Sequence, residues 1–208
     1  TGGAMGTVNF AAVAGTTRAS VVAIANNSLN AFSTITAGAG GLTLTTGAET
    51  ATDTLSFNGA AGVDTLNNNF TGIVNVYGLG GADAMNFTSS AAGTLQYTSL
   101  AATVNETGIT AATADTITGW TAATDLIRTG TAGTGANYGE GSFNTFALAQ
   151  AGADAAMDGT VRYFFGDDAG ADATGGYLFY DANGDGTADA VTFLAGTTIA
   201  NFSAANIV

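Results

Sequence analysis

The chain has 208 residues, of which 46% are apolar or aromatic, so it is long enough to bury a core. Its 16 acidic residues face three arginines, and lysine, histidine, cysteine and proline are absent, which gives a formal net charge of -13. This charge argues against nucleic acid and anionic membrane surfaces as partners, and the missing residue types exclude catalysis by Ser-His-Asp, Cys-His or zinc sites.

The first two thirds of the chain have the pattern of short strands. Residues 1–41 form a β-rich N-terminal segment, in which Val, Thr and Ala runs alternate with Gly and Asn turns. Residues 42–128 contain short segments that alternate at period two and close on Gly, Asn or Asp, which predicts a degenerate β-solenoid of stacked coils. The expected fold class is mainly β, with a β-roll-like solenoid followed by a C-terminal β module, residues 129–208, that contains one helix.

A loose repeat within the solenoid places an Asp before a small residue and then an apolar one. Its members are Asp53, Asp64, Asp83 and Asp115, at spacings of 11, 19 and 32 residues. The turns before Asp64 and Asp83 resemble the repeat-in-toxin nonapeptide GGxGxDxUx, whose glycine-rich turn and Asp supply oxygen ligands to calcium. The resemblance implies that Asp64 and Asp83 bind calcium. The alternative is that both are turn residues without a metal, because Asp is common in turns.

The C-terminal module is predicted to hold the helix and three strands. The helix is expected over residues 140–158, because Phe143, Phe146 and the apolar residues after them recur at three-and-four spacing. Ser142 is its expected N-cap, and Gly159 is placed to end it. Strands are expected at residues 161–165, 177–180 and 190–194.

The most specific motif lies between the last two of these strands. Residues 181–189, DANGDGTAD, place oxygen-bearing side chains at positions 1, 3, 5 and 9 and a Gly at position 6. This order matches the first nine positions of an EF-hand-type calcium loop, in which the Gly permits a sharp bend around the ion. The expected calcium ligands are Asp181, Asn183, Asp185, Thr187 and Asp189. Position 12 is Thr192 instead of a bidentate Glu, and a solvated hairpin turn is the alternative.

The order of elements in residues 143–208 resembles the C-terminal region of repeat-in-toxin and serralysin-like proteins. These residues carry, in order, a helix, a strand, an acidic turn, a strand, the loop D-x-N-x-D-G-x-x-D, an apolar strand and a short apolar tail. The resemblance implies export from a bacterium by type I secretion machinery that reads a signal in the uncleaved tail. It also implies calcium-triggered folding outside the cell and an extracellular location at the cell surface.

The expected function is that of a calcium-stabilised structural protein in a surface-layer or extracellular matrix array. Enrichment in Ala, Gly and Thr and exposed strand edges favour self-association, and calcium would offset the repulsion between acidic subunits. The alternatives are a calcium-dependent adhesin or carbohydrate-binding module, with Tyr77, Tyr97, Trp120 and Tyr138 as its aromatic platform, or the non-catalytic C-terminal part of a secreted serralysin-like protease.

Further expectations concern catalysis and partners. An acid pair of the glycosidase type is compatible with the composition, but nothing in the sequence singles one out, so no enzyme activity is expected in this chain. Cell-surface polysaccharide stays open as a partner. No stretch of about 18 apolar residues is present, so direct membrane insertion is not expected.

Overall fold

The computed structural model describes residues 5–9, 20–24, 29–47, 54–69, 72–87, 95–97, 108–170 and 174–208. The solenoid strands are β1 (Met5–Asn9), β2 (Ser20–Ala23), β3 (Leu29–Thr36), β4 (Leu42–Thr45), β5 (Thr54–Asn58), β6 (Thr65–Asn68), β7 (Ile73–Tyr77), β8 (Ala84–Phe87), β9 (Leu95–Tyr97), β10 (Asp115–Thr118) and β11 (Leu126–Ile127). They are followed by β12 (Tyr138–Phe143), α1 (Phe146–Ala156), β13 (Tyr163–Asp168), β14 (Gly175–Tyr180), β15 (Ala190–Ala195) and a 3-10 helix (Ala204–Asn206). In this part of the chain the predicted class is confirmed: the protein is mainly β, with a parallel β-solenoid of about five turns and a single α-helix.

The solenoid arises because successive strands alternate between two sheets. The odd-numbered strands from β1 to β11 form a six-stranded sheet, and the even-numbered strands from β2 to β10 form one half of a nine-stranded sheet. Neighbouring solenoid strands in each sheet are parallel, so each coil contributes one strand to each sheet. The coils begin at β1, within the stretch that the sequence assigned only to a β-rich segment.

The coils differ in length, which explains why the sequence repeat is loose. In the nine-stranded sheet, Thr43 pairs with Thr65, Leu66 with Met85, and Met85 with Ile117. These pairs are 22, 19 and 32 residues apart. The strands therefore keep their register although the number of residues between them varies.

Period-two alternation places every second side chain inside the solenoid. In β4, for example, Leu42 and Leu44 are buried, whereas Thr43 and Thr45 face outward and are half-exposed. Fully buried residues from both sheets form the core: Leu42, Leu44, Leu55, Phe57, Leu66, Val76, Met85, Ile117 and Ile127. Each such side chain contributes about 1.5–3 kcal/mol through the hydrophobic effect.

The C-terminal module continues the nine-stranded sheet. Strand β15 pairs in parallel with β10 and antiparallel with β14, which in turn pairs antiparallel with β13. Strand β12 is the edge strand of this sheet and pairs in parallel with β13. Helix α1 buries Ala149 and Ala153 in a second apolar cluster with Phe164, Phe179 and Val191.

The helix prediction was wrong at its start. Residues 138–143 form β12, and α1 begins only after Thr145, whose hydroxyl accepts a hydrogen bond from the Leu148 N–H at 3.3 Å. The reason is tertiary: β12 pairs with β13 over six residues, and Gly139 leaves room for the ring of Phe164. The three later strands are confirmed: β13 begins two and ends three residues later than expected, and β14 begins two residues earlier.

The apolar tail covers the end of the solenoid. Ile207 forms a parallel bridge with Ile127, and the Val208 N–H donates to the Ile127 carbonyl at 2.8 Å. Phe202 is 2% exposed, and its ring stacks on Phe165 with 4.6 Å between centroids. The tail is therefore part of the folded core. Among the described residues, no helix has both the length and the apolar composition of a membrane span.

Candidate metal sites

The predicted calcium loop connects β14 to β15, two strands that form an antiparallel hairpin. The Asp189 N–H donates to the Tyr180 carbonyl at 2.8 Å and closes the base of the loop. The strands on either side are held by a sheet that is buried on both faces in this region. The loop is therefore presented on a rigid support.

The loop wraps around the carboxylate of its first residue. Asp181 is fully buried, and its two oxygens accept the N–H groups of Gly184 at 2.5 Å and Gly186 at 2.9 Å. Both glycines have positive φ, 79° and 90°, a conformation that side chains with a Cβ rarely adopt. The expected role of Gly186 as the bend of the loop agrees with this geometry.

The side chains of three predicted ligands, Asn183, Asp185 and Asp189, are joined by hydrogen bonds. The Asn183 side-chain N–H2 donates to Asp185 Oδ2 at 3.1 Å and to Asp189 Oδ1 at 3.3 Å. The other Asp189 oxygen accepts the backbone N–H groups of Ala182 at 2.8 Å and Asn183 at 3.1 Å. Thr187 turns its hydroxyl toward Asp185 Oδ1, at 2.6 Å. The Asn183 amide thus contacts both the Asp185 and the Asp189 carboxylate.

Hydrogen bonds favour the charged form of the exposed carboxylate in this loop. The Thr187 hydroxyl lowers the pKa of Asp185, followed by the Thr187 N–H and the Asn183 side chain. Asp185 is therefore ionised at neutral pH, as a calcium ligand has to be. Among the described residues, no three acidic side chains already stand close enough together to form a metal site.

The solenoid carries a second acidic feature, a stack of buried aspartates. Asp64, Asp83 and Asp115 occupy the same position in successive coils, and each is at most 1% exposed. One oxygen of each accepts a backbone N–H from the preceding coil: Leu42 N–H to Asp64 at 2.5 Å, Asp64 N–H to Asp83 at 2.8 Å, and Asp83 N–H to Asp115 at 2.9 Å. We refer to these three residues as the Asp stack. The fourth member of the sequence repeat, Asp53, lies outside the described residues.

The two aspartates that the sequence proposed as ligands differ in their second oxygen. Asp64 Oδ2 accepts the Ala60 N–H at 2.7 Å. In the next coil, Leu79 occupies the turn position equivalent to Ala60, and its φ of 59° is unusual for a residue other than glycine. In that coil, Asp83 Oδ2 has no hydrogen-bond partner among the described residues. Thr192 pairs with Asp115 on the adjacent strand, and its buried hydroxyl likewise has no hydrogen-bond partner within the described part of the chain. Asp83 is therefore the member with an oxygen left for a ligand.

Burial makes ionisation of the stack costly. It raises the pKa of Asp83 to about 9, with the negative charge of Asp115 as the next cause, and it also raises the pKa of Asp64. A buried carboxylate without a partner is stable only if it takes up a proton or a cation. The sequence analysis included Asp115 in the loose repeat but did not propose it as a ligand, because spacings of 19 and 32 residues can be recognised as one structural position only when the coil lengths are known.

No protein-family model matches the chain, and no similar curated protein or solved structure was found. Function therefore has to be inferred from the geometry of these two sites.

The four residues of the proposed aromatic platform differ in exposure. Trp120 and Tyr138 are partly buried, and both pack against Phe202 of the tail, with ring centroids 6.0 Å and 6.3 Å away. Tyr77 is exposed on the six-stranded sheet, and the side chain of Tyr97 lies outside the described residues. Packing against Phe202 therefore covers part of two of the four rings.

Proposed function

We propose that this chain is a calcium-stabilised structural module of the bacterial cell surface, exported by a type I system and assembled into an array. The observation that carries the calcium part is the contact of Asn183 with both Asp185 and Asp189, in a loop already folded around Asp181. An amide N–H2 shared by two carboxylates occupies the place that suits a cation. Calcium there would take the carboxylate oxygens as ligands, with Asn183 turning its Oδ1 toward the ion.

Calcium at this loop would act as a structural clamp. The ligands span the end of β14 and the start of β15, so binding would fix the hairpin that joins the C-terminal module to the solenoid through β10. An ion that binds the folded chain and not the unfolded one adds stability in proportion to the logarithm of its concentration. Asp83, whose Oδ2 has no hydrogen-bond partner among the residues that the structure describes, is a second proposed ligand. Asp64 is less suited, because both of its oxygens accept backbone N–H groups.

The export part of the proposal rests on the resemblance to repeat-in-toxin and serralysin-like proteins. The helix, strands, loop and tail of the C-terminal module occur in the order that the resemblance requires. In the folded chain, Phe202 and Ile207 of the tail are buried. A signal in this tail would therefore have to be read before the module folds, which agrees with a fold that calcium completes outside the cell.

The calcium site is tested by calorimetric titration and thermal unfolding. We expect the unaltered chain to bind calcium and unfold at a higher temperature in its presence. Asp185→Ala should weaken the affinity by about tenfold or more, because it removes a charged ligand. The control is Asp154→Ala, which removes the same charge from the exposed surface of α1 and should change nothing. A chain that gives neither binding heat nor a shift in unfolding temperature would refute the calcium proposal.

A further inference from the structure

Arg162 lies directly beneath the calcium loop, although it is 19 residues away from it along the chain. Its Nε donates to the Asp181 carbonyl at 2.5 Å, and one of its terminal nitrogens donates to the Ala182 carbonyl. The guanidinium thus bonds two consecutive backbone carbonyls of an acidic loop, instead of pairing with one of its carboxylates.

Both the backbone and the guanidinium of Arg162 are held in place. Its backbone N–H donates to the Asn137 carbonyl at 2.8 Å, and its own carbonyl accepts the Asp181 N–H at 2.9 Å. The guanidinium carbon lies 5.9 Å from the centre of the Tyr180 ring, which stacks on Tyr163. A planar guanidinium fixed in this way presents two N–H donors in a set direction.

Peptide geometry transmits that constraint to the other side of the loop. In a trans peptide the carbonyl of one residue and the N–H of the next point in opposite directions. Because Arg162 holds the carbonyls of Asp181 and Ala182, the N–H groups of Ala182 and Asn183 point away from it. Both of these N–H groups donate to the same oxygen, Asp189 Oδ2.

We propose that Arg162 is the positioning residue of the calcium loop: by holding two carbonyls on one side, it aims two N–H groups at Asp189 and fixes that carboxylate before the ion arrives. This inference rests on the proposed calcium function of the loop. It assigns to Arg162 a preorganising role, in which ordering the ligand in advance reduces the cost of binding.

The direction in which calcium affinity changes when Arg162 is replaced distinguishes a positioning role from a purely electrostatic one. A positive charge close to a cation site repels the ion, so removing it would strengthen calcium binding. A positioning residue has the opposite effect, because its loss leaves Asp189 free to turn away. Lysine keeps the charge and loses the fork that spans two carbonyls, so it cannot replace arginine here.

The experiment compares three variants by calorimetric titration with calcium chloride. Arg162→Met should weaken calcium binding by about tenfold or more, and Arg162→Lys should weaken it to a similar extent. Arg128→Met is the control, because it removes the same charge from an exposed residue beyond β11 and should leave the affinity unchanged. Unchanged or tighter binding by Arg162→Met would overturn the inference.

A second measurement tests the positioning without calcium. In chelator, amide hydrogen exchange followed by NMR should show protected Ala182 and Asn183 N–H groups in the unaltered chain, and about tenfold faster exchange in Arg162→Met. Equal exchange rates in a variant that remains folded by circular dichroism would refute the positioning role. If the unaltered chain protects both amides and binds no calcium, the proposed calcium function fails while the positioning of Asp189 stands.

Discussion

At the scale of single residues, the environment decides what each aspartate does. Asp185 stands at the surface, and hydrogen bonds from Thr187 lower its pKa. Asp83 is buried beside Asp115, and burial raises its pKa to about 9. The same side chain is therefore kept ionised in the loop, whereas in the solenoid it requires a proton or a cation.

Replacing Asp83 by Asn tests whether a proton or a cation neutralises the buried Asp83 carboxylate. In the absence of calcium, we expect Asp83→Asn to raise the unfolding temperature at neutral pH, because the amide keeps an acceptor for the Asp64 N–H and carries no charge. In the unaltered chain, the pKa of Asp83 in the folded state is about 9, above the ordinary value of 3.8. The stability that protonated Asp83 contributes is therefore complete below about pH 4 and is lost as the pH rises through 9. The advantage of the variant should therefore grow from about pH 5 to about pH 9.

The measurement is thermal unfolding by circular dichroism across that pH range, in chelator and in calcium, with Asp154→Asn as an exposed control. If calcium is bound by Asp83, the variant should instead lose stability in calcium relative to the unaltered chain. A variant that is less stable at every pH in chelator would contradict the proton explanation.

The strained turn of the solenoid gives a second prediction at this scale. Leu79 adopts a left-handed conformation, φ 59°, and its side chain is 36% exposed, so most of its surface is buried and truncation also removes packing contacts. Leu79→Ala and Leu79→Gly both lose those contacts, and we expect Leu79→Gly to be the more stable of the two by about 1 kcal/mol, because glycine adopts positive φ without strain. Ala60→Gly, at the equivalent position of the preceding coil, is the matched control and should destabilise the chain by about 0.5–1 kcal/mol. Urea unfolding measures all three variants, and a Leu79→Gly variant that is no more stable than Leu79→Ala would show that the turn is unstrained.

At the scale of elements, long-range packing fixes the C-terminal module more than local propensity does. Residues 140–143 lie within a helix-like pattern in sequence, yet they form part of β12, because pairing with β13 satisfies six consecutive residues. The tail likewise has no regular element longer than a short 3-10 helix, and it is held by Ile207 against β11 and by Phe202 within an aromatic cluster.

Truncating Phe202 tests whether the tail is part of the core. Phe202→Ala should lower the free energy of unfolding by about 3–5 kcal/mol, the cost of a cavity at a fully packed aromatic position. Leu148→Ala, at a leucine that is 53% exposed on α1, should change it by less than about 0.5 kcal/mol. Urea denaturation followed by tryptophan fluorescence reports directly on the region, because Trp120 packs on Phe202. Similar losses in the two variants would mean that the tail is not packed as described.

At the scale of the whole molecule, the net charge and the sheet edges have opposite effects on association between copies of the chain. A net charge of -13 repels other copies of the chain, whereas β2 and β12 are the terminal strands of the nine-stranded sheet, and terminal strands are the usual sites of strand pairing between chains. The proposed self-association would therefore require counter-ions that reduce the repulsion.

The array is tested by static light scattering and electron microscopy of the purified chain. We expect large assemblies in calcium and smaller species in chelator, and sodium chloride at matched ionic strength should not reproduce the effect if bound calcium is required. A monomer under all three conditions would contradict the array and favour the adhesin or carbohydrate-binding alternative.

The sequence by itself determined the features that depend on local pattern. Period-two alternation and closely spaced Gly and Asn turns gave the mainly β class and the solenoid, and DANGDGTAD located the loop between two strands. These signals are local, because side-chain alternation and turn chemistry depend only on neighbours in the chain.

Only the tertiary structure decided which distant residues meet. The alignment of Asp64, Asp83 and Asp115 depends on coil lengths that differ from turn to turn. The contact of Arg162 with the loop of residues 181–189 depends on the antiparallel pairing of β13 with β14. Register between strands is set by the packing of the whole core, so the neighbours of a buried carboxylate are decided by residues far from it in sequence.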